Sequence, residues 1–213
     1  MENKETRYIK NNWFGVFPLG QETPGEYNWI DSQESKLGGN KFDVTYFINE
    51  WRYRGFIKPG PNVPASFGCS HAFGYGVNVP YAKIIGFANC AVNGISNDAI
   101  VRMAYTYCEQ FKPNKICILW TMPNRREYVE EDGTIQKFKA EENHQLLALQ
   151  NSNWDQYNLE KNKIFISSYC KANNIKLLEY DFMNNDKGAR DGLHPGPDWH
   201  VNMAATILED LNV

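Results

Sequence analysis

The run SFGCSHAFGYGV, residues 66–77, sets Cys69, Ser70 and His71 side by side in a glycine-rich stretch without a charge. Each of the three side chains can take part in acyl transfer, but neighbours along a backbone diverge and rarely serve one another. A serine hydroxyl is protonated and weakly nucleophilic near neutral pH, so Ser70 needs a general base from elsewhere. Cys69 is the alternative nucleophile, because a thiolate outperforms a hydroxyl.

Four histidines are available, at positions 71, 144, 194 and 200. His71 adjoins Ser70 and is badly placed to serve it. His144 lies in a polar stretch. His194 lies in RDGLHPGPDWH, three residues after Asp191, so one loop presents a carboxylate and an imidazole together. Asp191 can then fix the tautomer of His194 and stabilise the imidazolium while the other ring nitrogen faces the serine. His200, at the start of the closing helix, reads as a surface or packing residue. A metal site from His194, Asp198 and His200 fits no strong ligand spacing, and no cofactor is expected.

The elements that must bring these groups together alternate. The segments VPASF, GFANCAV, KPNKICILW and IKLLEY are short apolar runs that read as buried strands. Between them, SNDAIVRMAYTYCEQF has apolar residues three and four apart behind an N-cap at Ser96 or Asn97. NLEKNKIFISSYCKANN reads as a second helix. GPDWHVNMAATILEDL reads as a third, with a stripe through Met203, Ala204, Ile207, Leu208 and Leu211. The polar stretch REYVEEDGTIQKFKAEENHQ reads as a long surface loop or lid. Arg125, Arg126 and Glu127 read as a solvated edge, the alternative being that Arg125 meets an anionic or sugar substrate. Strands alternating with helices imply a mostly parallel sheet covered on both faces, with ligands bound outside the carboxyl ends of the strands. Ser70, Gly94 and Asn124 each follow such a strand.

Ahead of this pattern, residues 1–58 form an expected N-terminal β-rich arm. KFDVTYFINEWRYRGF has the alternation of a strand or hairpin, and IKPGPNVP separates it from a main domain over residues 59–213. A chain of 213 residues suits one such domain with an arm. The net charge of −3 and pI of about 5.8 argue against a nucleic-acid or anionic-membrane partner. The N-terminus shows no apolar signal segment, so a cytoplasmic site is the default expectation, with release or association with a larger particle as the alternatives. Five cysteines, at 69, 90, 108, 117 and 170, include no CxxC pair and read as reduced, mostly buried thiols. The aromatic share of 14% would serve either a core or platforms for sugars, and Trp120 and Trp199 read as packing.

Three blocks, in order, resemble the SGNH (GDSL-type) hydrolases. FGCSHAFGYGV resembles the block around the nucleophile, NCAVNGISN the second block with its glycine, and RDGLHPGPDWHVNMA the closing Asp-x-x-His-Pro block. The likeness spans about residues 63–212. It implies a three-layer α/β/α fold with a flavodoxin-like sheet. It also implies Ser70 as nucleophile, His194 as base and then acid, and Asp191 as its orienting partner. The oxyanion hole would be made from the N–H groups of Ser70 and Gly94 and the side chain of Asn124. Two positions depart from the pattern. Cys69 stands where the family has Asp, and ILWTMPNRRE replaces the Gly-x-Asn-Asp block, leaving Asn124 one residue late with Thr121 or Arg125 as other liners.

The activity implied is hydrolysis of an ester, with an O-acetyl or other short acyl ester of a carbohydrate as the favoured substrate. An O-acyltransferase using the same residues is the nearest alternative. A non-catalytic binding or structural protein on the same scaffold is the other. The sequence leaves the oligomeric state open.

Overall fold

A computed structural model describes Gly20 and residues 24–29, 44–129, 135–137, 151–181, 188–189 and 192–212. Asp191, His144 and most of residues 1–43 lie outside the described residues.

Four parallel strands carry the fold: β3 (Ala65–Gly68), β4 (Ala88–Asn89), β5 (Lys115–Leu119) and β8 (Lys176–Tyr180), in spatial order β4-β3-β5-β8. Each step along the chain passes through helix. α1 (Ser70–Phe73) and α2 (Tyr81–Ile84) join β3 to β4, α3 (Asn97–Phe111) leads to β5, and α4 (Ser152–Ala172) leads to β8. α5 (Pro197–Leu211) closes the chain. Ser96 is the N-cap of α3, accepting from the Ala99 N–H at 3.0 Å.

The alternation of β5 explains the layering. Ile116 and Ile118 join a cluster with Ile100, Tyr107 and Ile166 from α3 and α4. Cys117 and Leu119 join another with Tyr81, Ala204 and Ile207 from α2 and α5. A strand whose successive side chains enter different clusters has helices against both its faces. The result is an α/β fold compatible with three layers. Each fully buried aliphatic side chain of β5 contributes about 1.5–3 kcal/mol.

Before the sheet, β1 (Gly25–Trp29) and β2 (Val44–Ile48) form an antiparallel ribbon. Single bridges from Ile48 to Arg54 and from Arg54 to Asn89 join it to the sheet edge. The Arg54 side chain donates to the carbonyls of Phe73, Gly74, Val77 and Asn78, so the ribbon is tied to the segment after α1.

The structure departs from several sequence expectations and agrees with the reading of the cysteines as free, buried thiols. GFANCAV supplies only two strand residues, since past Asn89 the chain leaves regular pairing. The polar stretch expected as a loop contains a hairpin of β6 (Glu127–Val129) and β7 (Ile135–Lys137). Arg126 and Glu127 are not a solvated edge. Arg126 pairs with Asp155 at 2.9 Å and Glu127 with Arg102 at 2.6 Å, all four side chains being largely buried. Leu208 falls off the edge of its stripe and stays 42% exposed. All five cysteines are free and buried. No helix among the described residues is long and apolar enough to cross a membrane.

Candidate active site

β3 ends at Gly68, which pairs with Leu119 of β5. A Cβ on Gly68 would stand 2.6 Å from Ala72 Cβ and 2.7 Å from the Leu119 carbonyl oxygen, so only glycine lets α1 turn this tightly off the strand. Cys69 occupies the N-cap position with an extended backbone, and Ser70 is the first residue of α1. Gly74 ends the helix in the left-handed region, at φ +79°. His71, Ala72 and Phe73 are buried, which leaves Ser70 half-buried at the mouth. Cys69 is 1% exposed and packs in the cluster that contains α3 and α4, so its thiol is less accessible than the Ser70 hydroxyl.

The loop before α5 carries His194. The Ala189 N–H donates to the His194 carbonyl at 3.0 Å, and the Gly192 N–H to the Ala189 carbonyl at 2.9 Å. Gly196 lies so close to Gly188 that a Cβ would meet its backbone at 2.7 Å. Pro197 then starts α5, where a missing N–H costs nothing. Held this way, His194 Nε2 lies 2.9 Å from Ser70 Oγ, across 124 positions of sequence. With the ring proton on Nδ1, the Ser70 hydroxyl donates to Nε2, which is the arrangement a general base needs. Asp191, expected to hold that Nδ1 proton, lies outside the described residues.

Two aromatic rings bracket His194, His71 on one contact and Tyr75 on another, each with centroids 5.1 Å away. Neither was singled out as a partner from the sequence, although Tyr75 sits in the same glycine-rich run. The His71 Nδ1 is 3.8 Å from Cys69 Sγ.

The expected oxyanion groups each follow a strand of the sheet, Ser70 after β3, Gly94 after β4 and Asn124 after β5. The Val92 N–H donates to the Gly68 carbonyl at 3.0 Å, so the chain after β4 runs beside the end of β3, and Gly94 follows two residues later at φ +66°. Neither the Ser70 N–H nor the Gly94 N–H has an acceptor among the described residues. Asn124 sits further along, half-exposed in a turn closed by the Arg125 N–H donating to the Met122 carbonyl at 3.0 Å. Thr121 is nearer in register. It lies two residues past Leu119, as Ser70 lies two residues past Gly68, and its Oγ1 is buried with no hydrogen-bond partner. Asn97 holds this loop through the Thr121 N–H at 3.0 Å and the carbonyls of Thr121 and Met122 at 3.3 and 3.0 Å.

His200 is turned inward rather than to solvent. It is fully buried, and its Nδ1 accepts from the Tyr81 N–H at 3.3 Å. Burial, aided by nearby Arg54 and His71, pushes its pKa down to about 3. Among the described residues no group of three or more His, Cys, Asp or Glu gathers as a metal would require. Trp120 is buried in the core, its Nε1–H donating to Glu179 at 3.1 Å, and Trp199 packs beside Tyr81.

Comparison with protein-family models, with curated proteins and with solved structures finds no match to this chain.

Proposed function

We propose that the chain is a serine ester hydrolase of SGNH type. The observation that carries the reading is the 2.9 Å approach of His194 Nε2 to Ser70 Oγ. It is supported by the strand order. Numbered along the chain, the four parallel strands run 2-1-3-4, as do the first four of a flavodoxin-like sheet. In that order the crevice opens between the first and third strands, and Ser70 and Thr121 follow those two strands. The ribbon of β1 and β2 would be the expected arm.

In the reaction, His194 Nε2 takes the Ser70 proton as Oγ attacks the ester carbonyl carbon. The carbonyl oxygen, now negative, is met by the N–H groups of Ser70 and Gly94. His194 returns the proton to the leaving alcohol as the C–O bond breaks, giving the acyl-enzyme. A water then gives a proton to His194 as its oxygen attacks the acyl carbon, and His194 passes that proton to Oγ as the Oγ–acyl bond breaks and the acid leaves. Asp191 would hold the imidazole in the required tautomer. A short acyl ester of a carbohydrate is the substrate class proposed, by resemblance.

The test is labelling with a fluorophosphonate probe and release of p-nitrophenol from its acetate ester. Both should be lost in Ser70→Ala and in His194→Ala. Unlabelled wild-type protein would overturn the hydrolase reading in favour of a non-catalytic scaffold. Acyl transfer to an added sugar in preference to water would move it to an acyltransferase.

A further inference from the structure

A concavity of about 430 Å³ lies between β2, α2 and the chain around Phe56. Neither Ser70 nor His194 lines it. Its volume falls in the range of small-molecule sites, of roughly 300–1,000 Å³. Phe47 and Phe56 stack on each other at its wall with centroids 4.2 Å apart, and Phe56 remains 66% exposed. Val79 and Phe87 extend the apolar lining.

The polar groups inside are spoken for in an informative way. Asn89 donates to the carbonyls of Ala72 and Phe73 and accepts from the Ala91 N–H. Arg54 is 3% exposed, and its four acceptors are all main-chain carbonyls. Burial lowers its pKa only to about 10, so it remains a cation at neutral pH. Carbonyl dipoles satisfy its N–H groups, and the Tyr46 and Phe73 rings lie 4.2 and 5.4 Å from the guanidinium, but these leave its net charge in place, and no carboxylate among the described residues pairs with it. Lys83, also on the lining, has no ion-pair partner among the described residues. Among the described residues Glu26 is the one lining carboxylate, and it is exposed. A site walled by low-dielectric aromatic surface, with two cations against one solvated anion, concentrates negative charge.

We propose that this cavity binds a small aromatic carboxylate, its ring against Phe47 and Phe56 and its carboxylate toward Lys83 and Arg54. The apolar body answers the stacked phenylalanines. The single negative charge answers the uncancelled guanidinium and the free ammonium. The site is independent of the hydrolase reading, because none of its contacts involves the Ser70–His194 pair.

The experiment titrates 2-naphthoate, and separately the neutral 2-naphthalenemethanol, into ¹⁵N-labelled Ser70→Ala protein and follows amide shifts. Ser70→Ala leaves the cavity untouched and removes any turnover. Naphthoate should shift the amides of Gly55, Phe56, Val79 and Lys83, and the alcohol should bind about 10-fold more weakly, as expected for loss of a charge-assisted contact. Lys83→Gln should weaken naphthoate several-fold while Glu26→Gln tightens it. Both are surface changes that leave Arg54 and the fold alone. Equal affinity for the alcohol, variants that move affinity the other way, shifts confined to other regions, or no shift up to about 10 mM naphthoate would each overturn the proposal, since a site of this size should bind a matched fragment in the millimolar range or better.

Discussion

The phenol ring of Tyr75 lies 5.1 Å from the imidazole of His194, centroid to centroid, and the two rings are tilted by 49°. Tyr75 belongs to the chain just after α1, where its N–H donates to the Ser70 carbonyl at 3.0 Å. One short segment therefore supplies both the hydroxyl and a wall for the imidazole that meets it. Removing the wall frees the imidazole to rotate away from the serine. Tyr75→Ala is expected to lower kcat on p-nitrophenyl acetate by about 10- to 100-fold, the scale that small misplacements of reacting groups produce. Tyr75→Phe keeps the ring and should retain most activity. Equal loss in both variants would mean that the phenol oxygen, and not the ring, matters.

In the proposed hydrolase, Thr121 and Asn124 are the two candidates for the third oxyanion donor. Thr121 follows the strand next to β3 in register with Ser70 and has a buried hydroxyl without a partner, whereas Asn124 is half-exposed in a turn. Thr121→Val removes the hydroxyl at nearly constant volume and should cost kcat up to the roughly 10²–10³-fold typical of an oxyanion donor, with little change in KM. Asn124→Ala should cost much less. The reverse ranking of the two kcat values would return the role to Asn124.

Asn97 is the residue that fixes this loop. Its carboxamide meets one N–H and two carbonyls of residues 121 and 122, and its own N–H donates to the Arg125 carbonyl at 2.9 Å. Asn97→Ala strands those groups in a site that is 0% exposed. Leaving buried polar groups unpaired costs about 1–3 kcal/mol each before relaxation, so a total loss of about 2–4 kcal/mol is expected. Urea unfolding of the purified variant measures it. An unchanged midpoint would show that water replaces the amide without penalty.

How much of this was legible beforehand follows from range along the chain. Short apolar runs and the three-and-four spacing of α3 are local patterns, and they mark β3, β5, β8, α3, α4 and α5. The pairing of Ser70 with His194 depends on which strand lies beside which, and only the spacing of His194 from Asp191 and the order of three sequence blocks pointed to it. The β6–β7 hairpin was missed because its segment is polar. What holds it is distant: Arg102 and Asp155 grip Glu127 and Arg126, and Asp98 accepts from the Glu127 N–H at 2.8 Å. His200 was hidden by its residue type. It precedes Met203, Ala204 and Ile207 by three, four and seven positions, so the buried face of α5 already included it.

That buried histidine makes stability depend on pH. In the folded chain His200 resists protonation down to about 3, against an ordinary value of 6.5. Between those values the unfolded chain binds a proton that the folded chain refuses, so stability rises with pH across the window and is lost as pH falls through it. The slope approaches about 1.4 kcal/mol per pH unit at full effect. His200→Gln keeps an acceptor for the Tyr81 N–H and does not titrate. Urea midpoints measured from pH 7 to pH 4 should fall more steeply for wild type than for the variant. Parallel curves would mean that the histidine titrates alike in both states, and that its burial carries no acid sensitivity.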